Sequence, residues 1–486
     1  MKTITIDPIT RLEGHGKITI FLSDEGEVKN TYFQIPELRG FEKFLEGRPV
    51  EEAPRIVPRI CGVCPACHHM ASGKAVDAVY GVTPPPAARK LRELFFMGEY
   101  IHSHVAHFYA LSGPDFVMGP GAEKAKRHIL GIVDKVGLEI GSKVITFRKY
   151  GHEIMKAVGG KCQHPVYNVP GGVSRPITAE QRTQVEKMAV ECVELAKFTI
   201  KLFEDIVLKN KAYMDIVTGP AYQLKVHNMG LVDDKNRVNF YDGKVRVVDT
   251  TGKELAKYAP AEYLQNVAEH VEPYTYLKFP YLKKFGWKGM SEGQESGMYR
   301  ASPLSRLNAA DGMATPLAQA EYERFFATVG KPCNLTLATH WARVIELLYA
   351  CERAVELSQD PEILSPDVRI LPTRTPHDGV GIVEAQRGTL THHYTTDENG
   401  IITKANLIVG TTNNNAAITL SIQKAAAALI QKGKPVTEEV LNMIEMAFRA
   451  FDPCFSCATH SLPGHFPMEV TFVQSDGEVL DILRRS

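Results

Sequence analysis

Apolar and polar positions alternate with period two through the first 36 residues. "TITI", "KITIFL" and "VKNTYFQI" read as paired strands, with "SDEGE" as a turn. Further on the period lengthens. Segments 88–111, 178–207, 335–357 and 437–451 repeat their apolar residues every three to four positions, which predicts long amphipathic helices. Thr178 and Gln181 form a candidate capping box for the second helix, and Asp452-Pro453 ends the fourth. Between them, 215–310 carries strand and turn signals such as "NRVNFYDGKVRVVDTTGKEL", and strand-like runs recur over 380–412. No internal repeat or low-complexity linker divides the chain. The pattern predicts a fold that is mainly α with peripheral β (α+β). It forms one domain over residues 1–486, built on a central bundle of long helices.

Composition narrows the function classes. The 486 residues are 44% apolar and 23% charged, ordinary values for a globular chain long enough to bury a large core. Basic and acidic residues number 56 each, so no global charge points to nucleic acid. No run of 18 apolar residues suggests a transmembrane helix. The start alternates like a strand and lacks an apolar signal core, so the expected location is cytoplasmic.

Nine cysteines in a chain of this length do not make a disulfide scaffold. Cys162, Cys192, Cys333 and Cys351 are isolated and read as small buried hydrophobes. The other five cluster in "RICGVCPACHHM" (Cys61, Cys64, Cys67) and "DPCFSCATH" (Cys454, Cys457). The first CxxC precedes a helical stretch and the second follows a helix stop. Facing one another, two such turns offer four thiolates, which suit zinc, Fe–S clusters and other soft or borderline metals. On spacing alone, a structural zinc site is the plain alternative and a [4Fe–4S] cluster another. Neither pair sits in the βαβ context of a thioredoxin-type motif. After these four ligands no second cluster motif remains. If the site moves electrons, the rest of the wire belongs to another protein.

The two motifs together resemble the signature of the large, catalytic subunit of nickel–iron hydrogenases, as RxCGxCxxxH near one end and DPCxxCxxH near the other. The resemblance continues through "DPITRLEGHGKITI", "RGFEKFLEGRPVEEAPRIVPRICG", "SHVAHFY", "HPVYNVPGG", "RASPLSRLN", "EAQRGTLTHHY" and "LIVGTTNNN", and covers essentially the whole chain. It is strongest to the cytoplasmic, methyl-viologen-reducing branch that does not reduce the deazaflavin coenzyme and works with heterodisulfide reductase.

The resemblance implies reversible, heterolytic cleavage of dihydrogen to protons and electrons. It makes Cys61 and Cys454 terminal nickel ligands. Cys64 and Cys457 then bridge nickel to an iron that also carries carbon monoxide and cyanide, and Cys67 has no bridging role. Glu13 is the proton-relay carboxylate next to Cys454. Arg387 lies over the metals, with Asp115 and Asp452 as its carboxylate partners. Thr411 donates a hydrogen bond to a cyanide. Glu42, the Leu407 carbonyl and His460 hold a second, hard ion, magnesium or iron. His68 is expected to donate to a cysteine sulfur and Arg59 to support the site from outside the ligand set. Gln386 and Gly410 stand where the family often has proline, before Arg387 and Thr411. His102, His104 and His107 share one helix and are read as packing residues rather than ligands.

The expected partners are an Fe–S small subunit and further electron-transfer subunits, of the heterodisulfide reductase or a flavin-containing complex. No Fe–S cluster is expected in this chain. A maturation endopeptidase is expected to cut His460–Ser461 and remove 461–486. Against cleavage, "MEVTFVQSDGEVLDIL" has two alternating runs around Asp476-Gly477, a hairpin signal. The rival reading of the whole chain is a zinc-stapled, non-catalytic subunit of a redox complex.

Overall fold

The computed structural model describes residues 2–459, 468–474 and 479–485. The amino-terminal strands form as the alternation requires. β1 (Lys2–Ile6), β2 (Lys17–Leu22) and β3 (Val28–Gln34) make an antiparallel sheet in that order. Ile18, Ile20 and Phe33 turn inward and pack with Ile418, Ile422, Phe448 and Phe455. The Phe33 and Phe455 rings meet edge-on at 5.1 Å. This sheet therefore carries the segment that holds the second cysteine pair.

Helix α1 (Pro65–Val79) starts at the first cysteine pair, with Pro65 in its first turn, where a missing N–H costs nothing. α2 (Pro86–Ala106), α3 (Leu138–Gly159), α4 (Ala179–Phe203) and α5 (Thr339–Gln359) pack in a closed circuit, α2 on α3, α3 on α4, α4 on α5 and α5 back on α2. Thr178 and Gln181 make the reciprocal cap on α4. Both α2 and α4 run on into π-helical turns, His107–Ser112 and Glu204–Leu208. α2 and α3 cross backbone to backbone: a Cβ on Gly98 would lie 2.8 Å from the Gly151 carbonyl oxygen, and one on Gly151 2.6 Å from that of Gly98. No larger residue fits at this crossing.

Residues 215–310 form the mixed region foreseen. β4 (His227–Val232), β5 (Lys244–Val248), β6 (Glu254–Tyr258) and β7 (Tyr299–Arg300) lie in the order β7-β4-β5-β6, with β7 parallel to β4 and the rest antiparallel. β8 (Asp378–Ala385), β9 (Gly388–Thr396) and β10 (Ile402–Ile408) form an antiparallel meander. β8 lies directly on α1: a Cβ on Gly381 would stand 2.1 Å from the Ala71 carbonyl oxygen. That contact sets the β8–β9 turn, which carries Gln386 and Arg387, against the start of α1. α6 (Asn415–Leu429) and α7 (Glu438–Arg449) complete the core under the first sheet. Beyond the second cysteine pair, Met468–Val473 and Val479–Arg485 pair antiparallel, the hairpin strands the alternation foretold. No helix among the described residues is long and apolar enough to cross a membrane.

Candidate metal centre

Cys61 follows the 3₁₀ turn Val57–Ile60 in an extended conformation, and Cys64 caps α1. The Val63 and Cys64 N–H groups point at Cys61 Sγ, at 3.2 and 3.5 Å. This turn is shaped to hold a thiolate, because backbone donors favour the charged sulfur. In the second motif Asp452 takes a left-handed φ of 54°, unusual for a non-glycine residue and a sign of a locally over-determined site. Cys454 is then extended, bridged in parallel to Glu13, and Cys457 lies in the short helix Phe455–Ala458. The Cys454 N–H donates to Thr411 Oγ1 at 3.0 Å.

These turns bring Cys61, Cys64, Cys454 and Cys457 together across nearly the whole chain. Their four sulfurs lie within 4.8 Å of one another and all are buried. Cys61 and Cys454 Sγ are 3.3 Å apart, Cys64 and Cys457 3.4 Å, Cys454 and Cys457 3.0 Å. Burial pushes the Cys454 and Cys457 thiols well above their usual range, while thiol hydrogen bonds from Cys454, Cys457 and Cys61 pull Cys64 well below it. Four thiolates this close and this buried repel one another strongly. The set becomes fully ionised only around a cation, and its donor chemistry fits a soft or borderline metal.

Beside the sulfurs lies a small pocket lined by Cys64, Ala385, Arg387, Leu390, Val409 and Thr411, among others. Arg387 Nε donates to the Asp452 carbonyl oxygen at 2.8 Å, and Nη2 reaches Asp452 Oδ1 at 3.4 Å. Its Nη1 is buried without a partner in the protein. Burial opposes the charge of Arg387, but Asp452 and the cysteine sulfurs hold it well above its ordinary value. Thr411 accepts from Cys454, so its own hydroxyl hydrogen remains available as a donor. The pocket thus presents a guanidinium donor, a hydroxyl and the His68 imidazole beside the sulfurs, with Ala385, Leu390 and Val409 as its apolar wall.

Glu13 comes beside the cluster as its bridge to Cys454 dictates. Its Oε2 lies 3.0 Å from Cys454 Sγ and accepts the Ser456 N–H at 3.1 Å. His68 Nε2 lies 3.4 Å from Cys457 Sγ, and its Nδ1 meets His392 Nε2 at 3.1 Å. His392 Nδ1 in turn meets the Tyr394 hydroxyl at 2.7 Å, which donates to Ser72 Oγ. The sequence reading gave His392 and Tyr394 no role. The signal was their place on β9, where residues of alternate parity share a face.

Two expectations need correction. Asp115 does not pair with Arg387. Its carboxylate is held by Arg11 Nη2 (2.5 Å), Arg449 Nη1 (3.1 Å) and Asn442. The π-helical turn His107–Ser112 precedes Asp115 and leaves it facing α7, where these two guanidinium groups converge. Burial opposes its ionisation, yet Arg449 and Arg11 keep it below the usual carboxylate range. Arg387 therefore has one aspartate partner, Asp452. The Arg59 side chain is exposed and folds back on the Arg55 carbonyl oxygen rather than supporting the sulfurs. Cys67 stands outside the four-sulfur group, and its thiol donates to Gln386 Oε1 at 2.9 Å, which fixes the residue that precedes Arg387.

Glu42 is buried on the short helix Phe41–Leu45. Lys278 Nζ lies 2.9 and 3.1 Å from its two oxygens, and the Leu407 N–H donates to it at 2.8 Å. Burial pushes Glu42 up to about 7 despite the pull of Lys278. Leu407 meets Glu42 through its N–H rather than its carbonyl. His460 lies outside the described residues. His102, His104 and His107 diverge, to the Val63 carbonyl, Glu346 and the Arg449 carbonyl, so they gather around no common point.

A buried four-thiolate cluster, with an acid against one sulfur and a guanidinium beside it, has the geometry of a metal centre. The comparisons give the class its family. The family model described as nickel-dependent hydrogenase matches residues 39–132 and 142–460, and a HoxL-like model matches 3–38. The chain belongs to the nickel-dependent hydrogenases and is a large, catalytic subunit, an oxidoreductase acting on dihydrogen. It is 47% identical over 485 residues to an iron-sulfur subunit of the F420-non-reducing hydrogenase of Archaeoglobus profundus, covering 100% of both chains. To its counterpart in the F420-non-reducing hydrogenase of Methanothermobacter thermautotrophicus it is 44% identical over 486 residues, covering 99% of each. Among solved structures, an NAD+-reducing [NiFe]-hydrogenase in the H2-reduced state superposes with a TM-score of 0.89 at 38% identity, over 95% of this chain and 100% of that one.

Proposed function

We propose that Cys61, Cys64, Cys454 and Cys457 hold a nickel–iron centre, with Cys61 and Cys454 on nickel alone and Cys64 and Cys457 shared with iron. The observation that carries this is the convergence of the four sulfurs within 4.8 Å of one another, from opposite ends of the chain. Bound there, the centre supplies a Lewis-acidic site at which dihydrogen is polarised.

The chain's own residues then do the following. Cys454 Sγ accepts the proton and passes it over 3.0 Å to Glu13 Oε2. The Ser456 N–H stabilises Glu13 when it is ionised, so the carboxylate is held ready between transfers. Arg387 keeps a fixed positive charge beside the sulfurs. Its free Nη1 and the Thr411 hydroxyl would suit cyanide on the iron, and the apolar side chains of Ala385, Leu390 and Val409 would suit carbon monoxide. His68 Nε2, 3.4 Å from Cys457 Sγ, is placed to hydrogen-bond that shared sulfur and tune its electron density.

Glu42, the Leu407 carbonyl and His460 are proposed to hold magnesium or iron. Glu42 supports this as a buried carboxylate whose high proton affinity a divalent cation would relieve. Electrons leave to Fe–S clusters of a small subunit. Among the described residues no second group of three or more ligand side chains occurs to carry them further within this chain. Heterodisulfide reductase or a flavin-containing complex, in the cytoplasm, is the proposed destination. Residues 461–486 are proposed to be removed at His460–Ser461, where the family model's match also ends.

Infrared spectroscopy of the purified complex tests the centre. Carbon monoxide and cyanide stretches that respond to dihydrogen, and vanish in Cys61→Ser together with dihydrogen oxidation, are the expected result. A spectrum without such bands in active protein would overturn it.

A further inference from the structure

Glu99 and His102 lie one turn apart on α2, and nothing in the reaction above uses them. Both are buried, with Glu99 fully enclosed. Neither Glu99 oxygen has a hydrogen-bond partner in the protein, nor does His102 Nδ1. Three orphaned polar atoms within one helical turn are costly in a packed core unless water bridges them. Glu99 Oε2 is 3.6 Å from His102 Nε2, which in turn lies 3.3 Å from the Val63 carbonyl oxygen, in the turn between Cys61 and Cys64. The His102 ring faces that of His152 on α3, with centroids 4.2 Å apart. His152 is half-buried and reaches the surface. The glycine crossing makes this possible: a Cβ on Gly151 would lie 2.7 Å from the His102 backbone nitrogen and 2.9 Å from its Cβ, so only glycine lets the two imidazoles meet, their planes tilted by 42°.

We propose that Glu99, His102 and His152, with bridging water, form a second proton passage from the cysteine side of the centre to the surface between α2 and α3. This rests on the hydrogenase reading, and is separate from the Cys454–Glu13 route. A proton released in the pocket is taken up on one Glu99 oxygen as the proton on the other passes, through the bridging water, to the unpartnered His102 Nδ1, since Nε2 already donates to the Val63 carbonyl. His102 then releases a proton from Nδ1 through water toward His152, which gives one to solvent. Each group returns to its starting charge, and no electron moves.

The electrostatics agree. Burial and the charge at Cys64 push Glu99 well above the carboxylate range, against the pull of Arg387 and Arg148. Burial, His152, Arg148 and Arg387 push His102 well below its usual value, against the Val63 carbonyl. His152 is lowered by burial, Arg148 and Lys156, and supported by Glu153. The inner pair therefore rests as a neutral acid beside a neutral base, with no net charge to bury.

The test compares Glu13→Gln, Glu99→Gln and the double variant in the holoenzyme complex, by exchange of dihydrogen with heavy water. Residual exchange in Glu13→Gln should fall at least about tenfold further when Glu99→Gln is added. A double variant equal to Glu13→Gln alone would overturn the passage. A second readout needs no turnover. Infrared difference spectra at neutral pH should show a protonated carboxyl band that Glu99→Gln removes, and His152→Phe should slow its exchange with deuterium. A spectrum in which Glu99→Gln removes no such band also overturns it. If the hydrogenase reading itself failed, the wild type would show no isotope exchange, while the carboxyl band would still report on Glu99.

Discussion

Glu13 Oε2 lies 3.0 Å from the Cys454 sulfur while its backbone carbonyl accepts the Phe455 N–H at 3.0 Å. The acid is thus locked to the cysteine segment by main chain as well as side chain. Glu13→Gln keeps the shape and removes the exchangeable charge. It should lower dihydrogen oxidation by about 10²- to 10⁴-fold, with nickel content unchanged. Activity assays beside metal analysis check this; parallel loss of metal would mean that Glu13 is structural.

Arg387→Lys keeps a positive charge but loses the fork that grips Asp452 and leaves Nη1 toward the pocket. Turnover should fall by about 10²-fold or more, the usual loss for one pre-organised donor. The iron-ligand infrared bands should shift without disappearing. Unchanged bands and turnover would remove Arg387 from the site.

His69 gives a pH prediction. Its Nδ1 lies 2.6 Å from the Pro54 carbonyl oxygen, so it carries the hydrogen, and Nε2 accepts the Tyr167 and Asn168 N–H groups. The ring must stay neutral, and burial lowers it to about 4. Between about pH 6.5 and 4 the unfolded chain binds a proton that the folded chain refuses, so this contribution falls as pH drops, by about 3 kcal/mol in all. Glu42 and Glu384, raised to about 7 by burial, act in the opposite sense. The difference between wild type and His69→Gln therefore isolates the effect. Thermal midpoints should respond to acid more weakly in the variant, across that window.

Gly98→Ala should destabilise the chain by about 1–3 kcal/mol, since its Cβ would press on the Gly151 carbonyl at 2.8 Å. Denaturant or thermal midpoints measure this. Midpoints equal to wild type would show that α2 and α3 part freely.

The intact mass of the large subunit in active enzyme should lack residues 461–486. A mass that includes them would mean that the segment is kept.

The strands before residue 36, the Thr178 cap and the two cysteine pairs were legible because each rests on local spacing. α3, α6 and the helix Pro316–Val329 were not foreseen. α6 is buried almost all round, so it has no polar face to reveal a period. α3 contains glycines that read as breaks, though Gly151 serves the crossing with α2. At the site, the cysteines, Glu13, Arg387 and Asp452 come together as their motifs implied. Asp115 was misplaced because motif order says nothing about which of three arginines a carboxylate meets. Glu99 lay unnoticed inside an apolar run, and only its missing partners in three dimensions mark it.

The central claim is that the four cysteines hold nickel and iron for catalysis. Metal analysis of the purified, active complex tests it most directly. The account predicts nickel in equal proportion to this chain, lost in Cys61→Ser, with no zinc in its place. Stoichiometric zinc without nickel would contradict it and make the four cysteines a structural staple.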